Sequence, residues 1–380
     1  MWRWQTITGM ALGLLAGVAV LSIAGSGGGG GHHTAGRPPS PAGPILSECD
    51  GRLAELVIHY EPSAKDSVAR VYHDFLGALE NDVLVHVVCP DQAAFAELTT
   101  IAGPLKCRLF PVVVNHPMTT WSRDRWVALT PAADGGPTTL LSPLGEAADE
   151  IWPARAGDAR VGMDLAKAMA PAVTAVRSGL YFDGGDFLAD GANVFVVPRV
   201  LQRNIQHTVA TREEFLKILS DRLGRPVILL DNSPDHHAGM FMVAVGQGRM
   251  LVGDPGLGRR TAATGSLPDL PGGPDFTPET QHRFDAVAAQ CAAAGYQVTR
   301  LPVIPACDGR SYLTYANVLL DQRGGRHIVY LPFYDGVESL NAAARAIWIG
   351  LGYEVRPVDC TTIYRHFGCL HCLVNVLRRG

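Results

Sequence analysis

The chain is 380 residues long, 47% hydrophobic and 18% charged, enough for one large domain or two ordinary ones. Its formal net charge is −4 and its basic residues are scattered, which argues against nucleic-acid binding and against docking on an anionic membrane surface.

The first segment reads as an export signal. Arg3 is the one charge ahead of an apolar stretch over 7–24, and Ser22-Ile23-Ala24 is a small-x-small cleavage site. At 18 residues the stretch also suits an uncleaved membrane anchor. The protein is therefore expected to be exported, secreted or periplasmic, or to be tied to a membrane through this segment alone. Residues 25–48, rich in Gly, Pro and Ser, read as a flexible linker, with a folded domain over 49–380.

From Cys49 onward, short β-rich runs alternate with helices predicted over 64–79, 92–101, 162–169, 212–223, 278–294 and 339–351. Several helices are followed by one phrase, a Gly or basic residue and then a β-branched run, at 106–112, 224–230, 295–301 and 352–358. Gly295-Tyr296-Gln297-Val298 and Gly352-Tyr353-Glu354-Val355 are nearly the same words. The glycine suits a left-handed helix cap, and the run after it suits a strand buried on both faces. Repetition at roughly 55–75 residues predicts a radial or stacked architecture, each unit covering its neighbour's apolar face.

After each phrase comes a polar residue flanked by apolar strand. These are Asp124 in Trp121-Ser122-Arg123-Asp124-Arg125, His237 in Asp235-His236-His237, Asn317 in Tyr315-Ala316-Asn317-Val318, and Cys372 near the end of the chain. Repeats that deliver Asp, His, Asn and Cys at equivalent tips bring all four to a shared axis. A thiolate there can attack an electrophilic carbon, and the Asp and His are the partners such a thiolate needs.

Eight cysteines are present, at positions 49, 89, 107, 291, 307, 360, 369 and 372. In an exported chain disulfides are the default, and if Cys372 is a free nucleophile at least one more must stay unpaired. Cys307 and Cys360 read as structural. Cys369-Leu370-His371-Cys372 is a CxxC, so a thiol–disulfide protein is an alternative, although a redox CxxC normally opens a helix and this one precedes a β-like run. A zinc site there lacks a second ligand pair.

These motifs resemble the guanidine-modifying superfamily, which includes the agmatine and peptidylarginine deiminases. The matching residues are Trp121-Ser122-Arg123-Asp124, Phe182-Asp183-Gly184-Gly185-Asp186-Phe187, His237 and the terminal His371-Cys372, and the resemblance spans roughly 49–379. It implies an α/β fold, a five-bladed α/β propeller, and a hydrolase acting on linear amidines. That hydrolase would turn peptidyl-arginine or a related arginine compound into a ureido product and ammonia. By the same resemblance Asp124, His237 and Cys372 are catalytic, and Asn317, Asp183 and Trp121 are substrate-binding. No metal or organic cofactor is implied, and the partner is an arginine-containing small molecule or protein. One position departs: Gly239 stands where the family has an Asp two residues after the catalytic His. That departure predicts weakened or altered guanidine recognition, which Asp183, Asp186 or Asp235 could offset, and it keeps a binding-only pseudoenzyme as the rival reading.

Overall fold

The computed structural model describes residues 42–145, 155, 157–262 and 267–380; the expected export segment and most of the expected linker lie outside the described residues. Among the described residues no helix is long and apolar enough to cross a membrane.

The strands are β1 (Leu53–His59), β2 (Leu84–Cys89), β3 (Arg108–Val113), β4 (Val127–Leu129), β5 (Thr138–Ser142) and β6 (Val173–Arg177). They continue with β7 (Phe187–Ala189), β8 (Val194–Val196), β9 (Val227–Leu229), β10 (Met242–Gly246), β11 (Arg249–Asp254) and β12 (Gln297–Pro305). The last are β13 (Tyr312–Thr314), β14 (Leu319–Arg323), β15 (Arg326–Phe333), β16 (Tyr353–Asp359) and β17 (Val374–Arg379). The helices are α1 (Lys65–Ala78), α2 (Gln92–Ala102), α3 (Asp158–Ala168), α4 (Pro198–Asn204), α5 (Arg212–Leu223), α6 (Pro255–Ala262), α7 (Pro278–Ala293) and α8 (Glu338–Gly350).

The six helices expected from periodicity are present, with ends shifted by at most a turn or so. Their signals are local. In α1, Val68, Val71, Tyr72, Phe75 and Leu76 form one buried stripe. Asp91 caps α2 by accepting from the Ala94 amide, and Thr211 caps α5 by accepting from the Glu214 amide. Gly224 ends α5 at φ +63°, the left-handed conformation expected of it. Helices α4 and α6 were not expected. At 7 and 8 residues they are too short to show a clear period, and each begins at a proline that reads equally well as a turn.

The strands form five small sheets, ordered β17-β1-β2-β3, β4-β5-β6, β7-β8-β9, β10-β11-β12-β13 and β14-β15-β16. One rule runs through all five. A leading strand pairs antiparallel with a second, and the second pairs parallel with a third. A parallel pair needs a long crossover, which the helices supply: α1, α3, α4 with α5, α6 with α7, and α8. In the first sheet the leading strand is β17, so the end of the folded chain pairs with its beginning, Val376 opposite Leu56.

Two expectations are corrected. The runs that follow the four phrases, β3, β9, β12 and β16, were expected to be buried on both faces, yet β3, β9 and β16 end their sheets, and in β3 Phe110 is 41% and Val113 49% exposed. A terminal strand has a neighbour on one side only, and its β-branched run reflects strand preference more than burial. Of these four strands β12 alone, flanked by β11 and β13, sits inside its sheet. The expected linker also stops short of 48. The Gly43 amide donates to Thr130 O, Leu46 to Ala128 O and Glu48 to Ala189 O, each at 2.8 Å, and Ile45 is buried. Residues 43–48 therefore belong to the folded unit.

Candidate active site

Each leading strand is preceded by the polar residue that matters. Asp124 comes before β4, Asp183 and Asp186 before β7, His237 before β10, and Asn317 before β14. Cys372 sits in the 3-10 turn Leu370–Leu373 that runs into β17. The repeat thus has five tips, not the four read from the phrases; the Gly-Gly segment supplies the fifth.

Missing side chains let the tips approach. A Cβ on Gly184 would collide with the carbonyl oxygens of Arg123 and Trp126, and one on Gly185 would lie 2.7 Å from the His237 ring. The Gly184 amide donates to Asp124 O at 2.7 Å, locking the second tip to the first. A Cβ on Gly368 would strike the Trp121 ring, so the turn that carries Cys372 closes directly on Trp121.

The tips meet at one cavity of about 1010 Å³, lined by Trp121, Asp124, Asp183, His237 and Cys372 among others. Its thiol side carries little charge. Cys372 Sγ lies 3.6 Å from Asn317 Nδ2, 3.8 Å from Asn317 Oδ1 and 3.9 Å from Met240 Sδ, and His237 lines the same cavity. Asn317 Oδ1 accepts the His371 amide at 2.7 Å. Asn317 is buried and is not among the residues lining the cavity; it lies against the Cys372 sulfur.

His237 links the thiol to the carboxylates. Its Nδ1 lies 3.9 Å from Asp124 Oδ1, and its Nε2 lies 3.7 Å from Asp183 Oδ2 and 3.9 Å from Asp186 Oδ1. Burial and the Arg199 charge pull the imidazole down, but Asp124, Asp183 and the Cys372 contact outweigh them and push it up to about 10. Neighbouring His236 goes the other way, driven well down by burial, by His237 and by Arg199.

The carboxylate side is crowded with arginines that the sequence did not reveal. Arg155 Nη2 donates to Asp124 Oδ2 at 2.7 Å. Arg125 pairs with Asp183 Oδ1, and Arg203 Nη1 donates to Asp183 Oδ2 at 3.2 Å. Arg199 Nε donates to Asp186 Oδ1 at 2.7 Å. Burial works against ionising Asp183, yet Arg125, His237 and Arg155 hold its carboxyl well below the usual range. Asp124 Oδ1 and His237 Nδ1 are buried and make no hydrogen bond. Arg199 and Arg203 stand four residues apart on α4, whose brevity hid their common face.

Behind the site lies Glu48, another residue the sequence reading left in the linker. It pairs with Arg123, and its Oε2 lies 3.1 Å from His371 Nε2. Burial opposes its charge, but Arg123 and His371 carry it down to about 2. Arg123 in turn donates to Asn375 on β17 and, through its amide, to Cys372 O. This network ties the Asp124 and Cys372 tips together.

Gly239 lies two residues past His237, as expected, without a left-handed φ. A Cβ there would point at Asn317 Nδ2 and His371 Nδ1, 3.3 Å from each. Of the acids considered as a replacement, Asp183 stands nearest His237 and lines the cavity. Asp186 is close but does not line it, and Asp235 lines it without an ion pair to His237. Asp183, Asp186 and His237 each bring a donor atom within 4.8 Å of the others, a spacing that could hold a metal ion. Arg125, Arg199 and Arg203 already engage those carboxylates, so a cation would have to displace them.

No family model matches the sequence, and no curated protein matches it. Solved structures do. The chain is similar to agmatine deiminase of Campylobacter jejuni at 17% identity, with 89% of this chain and 96% of that one covered and a TM-score of 0.64. A substrate-bound variant of that enzyme gives 16%, 88%, 97% and 0.65 in the same order. Agmatine deiminase of Enterococcus faecalis gives 14%, 88%, 96% and 0.65. The shared property is the fold.

Proposed function

We propose, from the premise that this chain has the fold of the guanidine-modifying superfamily, that it is a deiminase whose five sheets close as the blades of a propeller around the cavity. The observation that carries the reading is the convergence of four groups in one cavity. Cys372 and His237 line the same cavity, His237 stands between Asp124 and Asp183, and Asp124 Oδ1 is a buried acceptor without a donor. A guanidinium N–H is the donor such an oxygen lacks.

The chemistry then runs in two halves. Asp124 holds the guanidinium so that its central carbon faces Cys372. The Cys372 thiolate attacks that carbon, and cationic His237 gives its proton to the departing amine, which leaves as ammonia. The enzyme is left as an S-linked thiouronium. His237, now neutral, takes a proton from water as the water attacks the same carbon; the C–S bond breaks, and the ureido product and thiolate are released. Asp183 steadies the imidazolium, and Asn317 holds the turn that aims the thiol. The substrate is peptidyl-arginine or another arginine compound.

The rival is a binding-only protein, and one observation favours it: every carboxylate of the Asp124–Asp183–Asp186 group already carries an internal guanidinium. Ammonia release from peptidyl-arginine, free arginine and agmatine decides. The wild type is expected to release ammonia from at least one of them, and Cys372→Ala to lose that activity by about 10⁴-fold or more. Binding without turnover in the wild type selects the rival.

A further inference from the structure

The cavity carries more positive charge than a site for a bare guanidinium calls for. Apart from histidines, the charged residues lining it are three aspartates and four arginines. Its inner charges are paired with one another. Asp124 is held by Arg155, Asp183 by Arg125 and Arg203, and Arg199 by Asp186. Asp235 and Arg310 are different. Both are exposed, both line the cavity, and among the described residues neither side chain forms an ion pair.

The fold brings these two opposite charges into one neighbourhood and fixes the backbone that presents each. The ring of His236, the residue after Asp235, meets the ring of Tyr312 edge-on, with centroids 5.4 Å apart and planes at 90°. Arg310 stands two residues before Tyr312. Its amide and that of Ser311 both donate to Asp308 Oδ1 at 2.8 Å, so Asp308 holds the turn. On the other segment the His236 amide donates to Pro234 O at 2.9 Å, a tight turn with Asp235 at its tip. The Arg310 guanidinium lies over the Phe367 ring, 5.5 Å from its centroid. Phe367 precedes Gly368, where a Cβ would strike Trp121 and lie 3.3 Å from Cys372 Cβ. One ring and one residue thus connect Arg310 to the nucleophile's turn.

We propose that Asp235 and Arg310 form a subsite for the charged end of a free α-amino acid, Arg310 taking the α-carboxylate and Asp235 the α-ammonium, so that the substrate is free arginine rather than an arginine within a chain. The proposal rests on the deiminase reading of the same cavity. Free arginine carries both charges on one carbon, at the far end of the side chain from its guanidinium. With the guanidinium on Asp124, those charges lie toward the outer part of the cavity. In a peptide both groups are amides, and in agmatine the carboxylate is absent. Arginine suits the anionic half because its planar fork pairs with a carboxylate through two parallel hydrogen bonds. The Phe367 ring supports the face of that guanidinium and leaves its N–H edge for the ligand. Exposure keeps each contact modest. The two still decide between arginine compounds, because every candidate offers the inner site the same guanidinium.

Ammonia release from L-arginine, L-argininamide, Nα-acetyl-L-arginine and Nα-acetyl-L-argininamide tests this, since the last three mask the carboxylate, the ammonium and both. The wild type is expected to use L-arginine about tenfold better in kcat/KM than either singly masked compound, and about 100-fold better than the doubly masked one. Arg310→Ala is expected to bring the ratio of arginine to argininamide close to one. Asp235→Ala is expected to do the same to the ratio of arginine to Nα-acetyl-arginine. Both positions are exposed, so neither variant disturbs the core. Equal use of L-arginine and Nα-acetyl-L-argininamide overturns the proposal and leaves the deiminase reading standing. Ratios that the two variants do not move overturn it as well. If no compound releases ammonia, the deiminase reading fails, and calorimetric Kd values for the same four compounds decide the subsite by themselves. The same order of affinity upholds it, and equal or absent binding overturns it.

Discussion

The two sides of the cavity are built on opposite principles. Around Cys372 the neighbours are Asn317 and Met240, so the thiol is held by packing and a few uncharged contacts. Across the cavity, Asp124, Asp183 and Asp186 sit among Arg125, Arg155, Arg199 and Arg203. The thiol side is poised for a reaction; the carboxylate side is already occupied in part by the kind of group the site is proposed to bind. The acids therefore divide by how deeply their arginines are buried. Asp183 is held by Arg125, whose side chain is 2% exposed, whereas the Arg155 on Asp124 is 17% exposed. The first is a structural tie and the second an exchangeable one.

The largest effect should follow from breaking the structural tie. Asp183→Asn leaves Arg125 buried against a neutral amide, and removing one partner of a buried ion pair costs about 3–5 kcal/mol. A denaturant midpoint unchanged from wild type would show that Asp183 is not the anchor of the carboxylate side. Asp124→Asn should instead fold normally and act on chemistry. Losing a charged hydrogen bond to the substrate, about 1.5–3 kcal/mol, lowers kcat/KM by roughly 10–100-fold. A stability loss as large as that of Asp183→Asn would erase the distinction between the two.

The same variant moves a pH limb. His237 is raised from its ordinary 6.5 to about 10, with Asp124 among the causes. A raised folded value means that its proton, and the stability the charge confers, is fully present below about pH 6.5 and is lost as pH climbs through about 10. As general acid, His237 should therefore let kcat/KM fall on the alkaline side near pH 10. Asp124→Asn removes an attraction for the imidazolium, so the limb should move to lower pH. A limb that stays put would mean that another group titrates there.

Much of this was legible beforehand. The Gly-led phrases announced a repeat, and Asp124, His237 and Cys372 were readable because each is a lone polar residue between apolar strands. What stayed hidden was pairwise and long-range. Arg155 reaches Asp124 across 31 positions, and Glu48 reaches His371 from what composition marked as linker. Nothing in local pattern announces an ion pair made by tertiary closure. The fifth tip lay outside the repeated phrases and was visible only as a motif of the resemblance, because the reason for its glycines is tertiary: a Cβ on Gly184 would meet the Arg123 and Trp126 carbonyl oxygens, and one on Gly185 the His237 ring.

A smaller effect is expected at the exchangeable tie. Arg155 Nη2 competes for the Asp124 oxygen that a substrate guanidinium needs, but its partial exposure reduces the energy at stake. Arg155→Ala should tighten binding of a simple guanidine, read as a Kd about fivefold to tenfold lower by calorimetry. A weaker Kd would give Arg155 a different part, such as orienting Asp124 or holding an acidic portion of the substrate.

The smallest effect belongs to Gly239, although the departure from the family pattern is plainest there. Its backbone has no left-handed φ, so a side chain meets no conformational penalty. The space is tight but polar, with Asn317 Nδ2 and His371 Nδ1 each 3.3 Å from the added Cβ. A carboxylate placed there would attract Asn317 Nδ2, which now lies 3.6 Å from Cys372 Sγ, and so would loosen the thiol's support. Against that cost, the gain is small if Asp183 already supplies the second negative charge beside His237, at 3.7 Å. The two effects oppose each other, and Gly239→Asp should leave guanidine affinity within about threefold of wild type while slowing the chemical step slightly. Calorimetric binding beside single-turnover kinetics separates the terms. A gain in affinity above about tenfold would mean that the arginines neutralise Asp183 so fully that the cavity works with one effective carboxylate, and that the missing acid is the real limit on guanidine recognition.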